Sequence, residues 1–177
     1  MIDTLRAPVC VWLTGLPASG KTTLARALVA SLRARGRPVL WLDGDDLRPH
    51  LAGAGRYDDE GRDAFYGALA HLARLGHEGG SDVVVSATAH KRVWRERARA
   101  AIAPGRFIEV WVATAQAVCA LRDPKGLYRA SREGEVRALP GVGSPYEAPL
   151  AAEVVVDLGA LAIDEAVAVV GQELGEG

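Results

Sequence analysis

Short apolar runs, each bounded by turn-forming or charged residues, recur along the chain: Val9 to Leu13, Pro38 to Leu42, Asp82 to Val85, Phe107 to Val112 and Val154 to Val156. Nearly continuous β-branched runs of this length read as strands buried on both faces. Between them apolar residues return at helical spacing. Leu24, Leu28, Ser31 and Leu32 mark one helix, Phe65, Leu69, Leu72 and Leu75 a second, and Ile163, Val167, Val170 and Leu174 a third. Strands alternating with helices imply right-handed crossovers, hence a three-layer α/β sandwich around a mainly parallel five-stranded sheet. At 177 residues, with neither repeats nor a dividing linker, the chain is expected to form one domain spanning 1–177.

One stretch breaks this rhythm. From Arg122 to Leu150 the sequence holds Pro124, Gly126, Gly134, Pro140, Gly141, Gly143, Pro145 and Pro149, with several arginines among them. That density of breakers is unsuited to a core element and predicts a basic, partly helical surface excursion over about 122–150, a candidate lid.

Composition narrows the partners. A net charge of -1 provides no field for gripping a nucleic-acid backbone or an anionic membrane, so a small molecule is expected instead. No apolar stretch is long enough to span a bilayer, and Met1 to Ala7 lacks the basic and apolar regions of a secretory signal. Cys10 and Cys119 each sit inside an apolar run and read as buried thiols. These features together point to the cytoplasm.

The chemistry begins at Gly15-Leu16-Pro17-Ala18-Ser19-Gly20-Lys21-Thr22, two glycines followed by Lys and Thr, directly after one predicted strand and opening a predicted helix. Glycine lets backbone N–H groups turn toward phosphates, and the helix N-terminus adds a positive dipole end. Lys21 is placed to reach the β- and γ-phosphates, and the Thr22 hydroxyl to ligate magnesium. The segment Gly15, Ala18, Ser19, Gly20, Lys21, Thr22 and Thr23 is therefore expected to hold ATP with Mg2+ on a P-loop nucleoside triphosphate hydrolase fold. A guanine-reading Asn-Lys-x-Asp element is excluded, since the chain contains no Asn, and the third apolar run ends Val84-Val85-Ser86-Ala87 without the acid of a motor ATPase. A small-molecule kinase remains.

A second polar cluster, Leu42-Asp43-Gly44-Asp45-Asp46-Leu47-Arg48, follows the second strand and emerges at the carboxyl edge of the sheet, where open parallel sheets bind ligands. A carboxylate there can take a proton from an acceptor hydroxyl or hold magnesium, for which Asp45 is the candidate, while Arg48 can pair with an anion. Asp43 and Asp46 are equally suited to cap the next helix.

These strings, with FIEVWV at Phe107 to Val112, CALRDPKGLY from Cys119 to Tyr128 and GVGSPYEAP at Gly141 to Pro149, resemble the adenylylsulfate kinase family in order and approximate spacing over most of the chain. The resemblance implies transfer of the ATP γ-phosphoryl to the 3′-hydroxyl of adenosine 5′-phosphosulfate, with magnesium required and a possible homodimer. It implies that Arg122, Lys125 and Arg129 lie on the lid, with Lys125 catalytic beside Lys21 and Asp45 and Arg122 near the nucleotide. It places Asp43, Arg48, Tyr57, Arg62, Thr88, His90, Lys125 and Leu139 around the acceptor.

Here the pattern departs from the family. Its Glu-Asn-x-Arg-Arg becomes Ala64-Phe65-Tyr66-Gly67-Ala68, its Phe-Ile-Ser-Pro becomes Ala87-Thr88-Ala89-His90, and its Gly-Phe-Thr-Gly becomes Ala138-Leu139-Pro140-Gly141. The donor residues are intact while an amide, two cations and a stacking ring are gone from the acceptor side. A relative that phosphorylates a different hydroxyl compound therefore stands as an alternative, and a non-catalytic nucleotide-binding module as another. His71 and Trp94 read as a surface and a packing residue.

Overall fold

Alternation along the first strand separates the two halves of the core. In β1 (Val9–Gly15), Val9, Val11 and Leu13 turn to one face and Cys10 and Trp12 to the other, and all are buried. The first set packs with α1 (Lys21–Ala34) and α7 (Ile163–Leu174), the second with α3 (Asp59–Glu78) and α4 (Arg92–Ile102). The computed structural model describes residues 6–51 and 57–175, so Met1 to Leu5 of the stretch read against a secretory signal lie outside the described residues.

The remaining strands are β2 (Val39–Asp43), β3 (Asp82–Ser86), β4 (Arg106–Val112) and β5 (Val154–Val156). The sheet runs β2-β3-β1-β4-β5 and every pairing is parallel, so the α/β sandwich predicted from the sequence is found with its five strands. β1 stands at the centre with its outgoing loop at the carboxyl edge, between the ends of β3 and β4, where neighbouring crossovers part.

Burial on both faces holds for the inner strands only. Leu40 in β2 and Val155 in β5 are exposed, because each belongs to an edge strand with a neighbouring strand on one side only. Leu75, expected on the buried stripe of α3, is also exposed. The stripe is carried by Phe65, Tyr66, Leu69, Ala70 and Ala73, and the packed face turns away before the helix ends. Both cysteines are buried and free, and burial raises the Cys10 thiol far above its ordinary range.

The 122–150 excursion is partly helical, as expected. α5 (Gln116–Arg122) leads into it and α6 (Leu127–Arg132) lies within it. Three side chains anchor it: Cys119, Tyr128 and Leu139 form a small buried cluster against Leu16 and Ala18 of the loop after β1. Among the described residues, no helix is long and apolar enough to cross a membrane.

Candidate active site

The loop from Gly15 to Gly20 wraps around one ammonium group. Lys21 Nζ donates to the carbonyls of Leu16 (2.7 Å) and Gly15 (3.1 Å) and lies 3.5 Å from Ser19 Oγ. Among the described residues these neutral oxygens are its direct partners, and no carboxylate contacts it. Burial pushes its pKa down to about 8, against the pull of Asp45 and Asp43. Ala18 adopts a left-handed backbone (φ 61°) to complete the curl. At Gly15 an added Cβ would stand 2.5 Å from the Val112 carbonyl oxygen, so only glycine lets β1 turn this close to β4.

The cradle is braced from below. Thr114, just past β4, donates to the Ser19 carbonyl (2.9 Å) and accepts from the Leu158 amide (3.2 Å), tying the loop to the segment after β5. Tyr128 Oη donates to the Pro17 carbonyl (3.0 Å), so the lid rests on the loop. Arg122 donates to the Leu158 carbonyl and comes beside Gly20. Sequence pattern gives neither residue this role: Tyr128 closes the CALRDPKGLY string, whereas Thr114 carries no local signal.

Asp43 closes β2 and does two jobs at once. Its Oδ1 accepts from the amides of Asp45 (2.9 Å) and Asp46 (3.3 Å), capping α2 (Gly44–Leu47). Its Oδ2 accepts from Thr22 Oγ1 (2.9 Å) and Ser86 Oγ (2.8 Å). The acid missing from the end of β3 is thus supplied by the end of β2, through a hydroxyl of β3. Hydroxyl and carboxylate oxygens are the donor types that magnesium takes, and a dipole-bearing helix N-terminus adjoins them, so the residues fit a nucleotide–magnesium pair. Thr23 is exposed beside them. Asp43, expected at the acceptor, thus joins the Thr22 hydroxyl to the end of β3. Asp43→Asn, which keeps the cap but removes the charge, is expected to raise the Mg2+ concentration needed for half-maximal turnover by about 10- to 100-fold, with little change in Tm.

Across the mouth, Lys125 Nζ donates to Asp45 Oδ2 at 2.7 Å, with the two side chains 57% and 71% exposed. The lid cation and the elbow carboxylate expected to be catalytic therefore meet directly. Asp123 fixes the base of this arm, its carboxylate accepting from the amides of Tyr128 (3.1 Å) and Arg129 (3.0 Å). Between Leu16 and the lid's return limb lies an open cleft of about 630 Å3 that reaches Gln116 and Tyr146.

A chain with this loop, elbow and lid matches the adenylylsulphate kinase family model over residues 7–157. It belongs to the adenylylsulfate kinase family. It is 42% identical over 150 residues to the adenylyl-sulfate kinase of Shewanella denitrificans, covering 85% of this chain and 73% of that protein. In three dimensions it resembles the Mycobacterium tuberculosis APS kinase CysC, solved in complex with AMPPNP and APS, with a TM-score of 0.90 and 33% identity over 96% of this chain and 98% of that one. A hexameric APS kinase from Thiobacillus denitrificans, of whose chain 30% is covered, aligns over 97% of this one with a TM-score of 0.71 and 30% identity.

Against this adenylylsulfate kinase framework, the residues expected at the acceptor fall into two groups. Arg48 and Tyr57 stack: the Arg48 guanidinium lies 4.8 Å from the Tyr57 ring centre and 3.9 Å from that of Phe65. Arg62, buried at the start of α3, has its Nη1 3.0 Å from His90 Nε2 and its Nη2 donating to the Ala138 carbonyl (2.8 Å). Thr88 is half-buried, and its carbonyl accepts from Thr14. Leu139 is buried in the small apolar cluster with Cys119 and Tyr128. Trp94 packs in the core, donating to Asp63 (3.0 Å), and His71 is exposed, as expected for both.

Proposed function

We propose that the chain transfers the γ-phosphoryl of ATP to the 3′-hydroxyl of adenosine 5′-phosphosulfate, giving 3′-phosphoadenosine 5′-phosphosulfate and ADP. What carries the reading is the Lys125–Asp45 contact, which brings the lid's cation to the elbow carboxylate within electrostatic reach of Lys21. Gly15 to Thr23 would hold the triphosphate through backbone amides, and Lys21 would lie against its terminal phosphates. Thr22 and Asp43 would hold magnesium, with Asp45 near enough to share it, and the metal would neutralise charge developing between the β- and γ-phosphates.

On this reading Asp45 exchanges partners as substrates arrive. Its carboxylate, released from Lys125, accepts the acceptor's hydroxyl proton, and the freed ammonium turns to the transferring phosphoryl group. Arg48 and Arg62 gather the acceptor's anions, and Arg122 flanks the nucleotide. The proposal extends to a homodimer, which sedimentation at working concentration would test, and to the cytoplasm, where two buried free thiols meet no oxidising demand.

A second reading keeps the donor chemistry and changes the acceptor. It is favoured by Phe65, whose ring packs 3.9 Å from the Arg48 guanidinium at a point where the sequence departs from the family's pattern. A coupled assay of ADP release separates the two. The main reading expects adenosine 5′-phosphosulfate to stimulate release well beyond other nucleotide conjugates and simple alcohols. Stimulation by one of those instead would favour the second reading, and ATP binding with no acceptor-stimulated release would remove both.

A further inference from the structure

His90 sits where the acceptor edge meets the lid. It is 2% exposed and its ring meets Trp94 edge-on at 4.9 Å, so it cannot swing away. Trp94 in turn stacks on Tyr66 at 4.5 Å, and the Tyr66 hydroxyl accepts from the Ala89 amide (2.9 Å). A buried aromatic bed thus fixes the imidazole from behind. In front of it stands the Arg62 guanidinium, 3.0 Å from Nε2 and 3.3 Å from Nδ1. Arginine has donors only, so this contact is a hydrogen bond when the nearer ring nitrogen carries no proton. The second arm of Arg62 reaches the lid at the Ala138 carbonyl, while the His90 carbonyl accepts from the Glu147 amide at 2.8 Å. Residue 90 therefore connects to both ends of the lid's return limb, once through Arg62 and once through its own backbone.

We propose that His90 is a positioning residue for the acceptor: its neutral imidazole sets the direction of the Arg62 guanidinium, and through it the register of the 138–147 limb, so that one buried cation meets the acceptor's anionic group. This rests on the assignment of Arg62 to the acceptor under the main reading. The charge environment agrees. Burial first, then Arg62 and Lys91, pushes the His90 pKa down to about 4, against the opposing pull of Asp59 and Glu147. A protonated ring would turn the Arg62 contact from attraction to repulsion.

Two variants isolate the contact. His90→Phe keeps a ring on Trp94 but offers no acceptor, whereas His90→Gln offers an amide oxygen at a similar reach. His90→Phe is expected to raise the acceptor KM about 10-fold, to move the ATP KM by less than about two-fold, and to leave the Tm near that of the unaltered protein. His90→Gln is expected to restore most of the acceptor KM. An unchanged acceptor KM in the Phe variant, an equal rise in both KM values, or no recovery with Gln would each overturn the proposal. Imidazole nitrogen NMR reads the contact without turnover and so stands apart from the identity of the acceptor. In the unaltered protein the His90 ring should be neutral at pH 6, and Arg62→Met should move its midpoint upward, leaving Lys91, Asp59 and Glu147 as its charged neighbours. A midpoint indifferent to Arg62 would overturn the positioning role even if adenosine 5′-phosphosulfate were never phosphorylated.

Discussion

Lys21→Met should lose at least about 100- to 1,000-fold in kcat/KM while still folding, because it removes a preorganised charge aimed at the phosphates and keeps a stem of similar length. The charge is held in place by the carbonyls of Gly15 and Leu16 rather than by a carboxylate, so no counter-ion has to be stripped from it as the triphosphate arrives. Thermal melts as a function of pH test the same geometry from the folding side. Burial lowers the native pKa of Lys21 from 10.5 to about 8, so between these values the unfolded chain binds the extra proton. Stability of the unaltered protein relative to Lys21→Met is then lowest below pH 8 and rises from pH 8 toward 10.5. A flat difference across that window would mean that the ammonium is not buried as described. Full activity of the variant would remove the donor site from the argument.

Why Lys21 could be found in the sequence, and Asp43's contact could not, comes down to the range of the interactions. The P-loop is a local device. Two glycines, a lysine and a hydroxyl within eight residues must curl before a helix, and the apolar run ahead of them fixes the edge to which they belong. The strand assignments were legible for a related reason, since burial in a parallel sheet demands unbroken apolar runs whatever the partners are. Asp43 was visible as a cap because the amides it accepts from lie two and three residues ahead. Its bonds to Thr22 and Ser86 span 21 and 43 residues and depend on β2 lying beside β3, an order that the sequence pattern leaves open. Thr114 bracing Ser19 and His90 facing Arg62 are long-range in the same way. The edge strands taught the converse lesson: β2 and β5 carry the same apolar signature as the inner strands, but position in the sheet, not composition, decided which side chains were covered.

Arg95→Met is expected to be the most destabilising of these changes, by about 3–5 kcal/mol, which for a domain of this size lowers Tm by roughly 10 °C. Arg95 is 2% exposed and ties three elements together: Nε donates to Glu109 Oε1 of β4 (2.6 Å), Nη1 to the Ala89 carbonyl, and Nη2 to the Glu147 carbonyl (2.6 Å). Methionine fills much of the volume but leaves two carbonyls without their donor and a mostly buried carboxylate facing Arg99 at 3.7 Å. If the uncompensated charge on Glu109 dominates the loss, the double variant Arg95→Met with Glu109→Leu should recover a sizeable part of it. If the lost carbonyl bonds dominate, it should not. The two causes also differ in function. Ala89 and Glu147 border His90 on the acceptor segment and the lid, so residual enzyme assayed below its Tm should show a raised acceptor KM with a nearly unaltered ATP KM. The double variant should retain that defect even where it regains stability, because neither substitution returns a donor to those carbonyls. Recovery of both together would place Arg95 in the core alone and leave the tie between α4 and the lid to Glu147, whose own carboxylate accepts from the Arg92 amide at 2.7 Å.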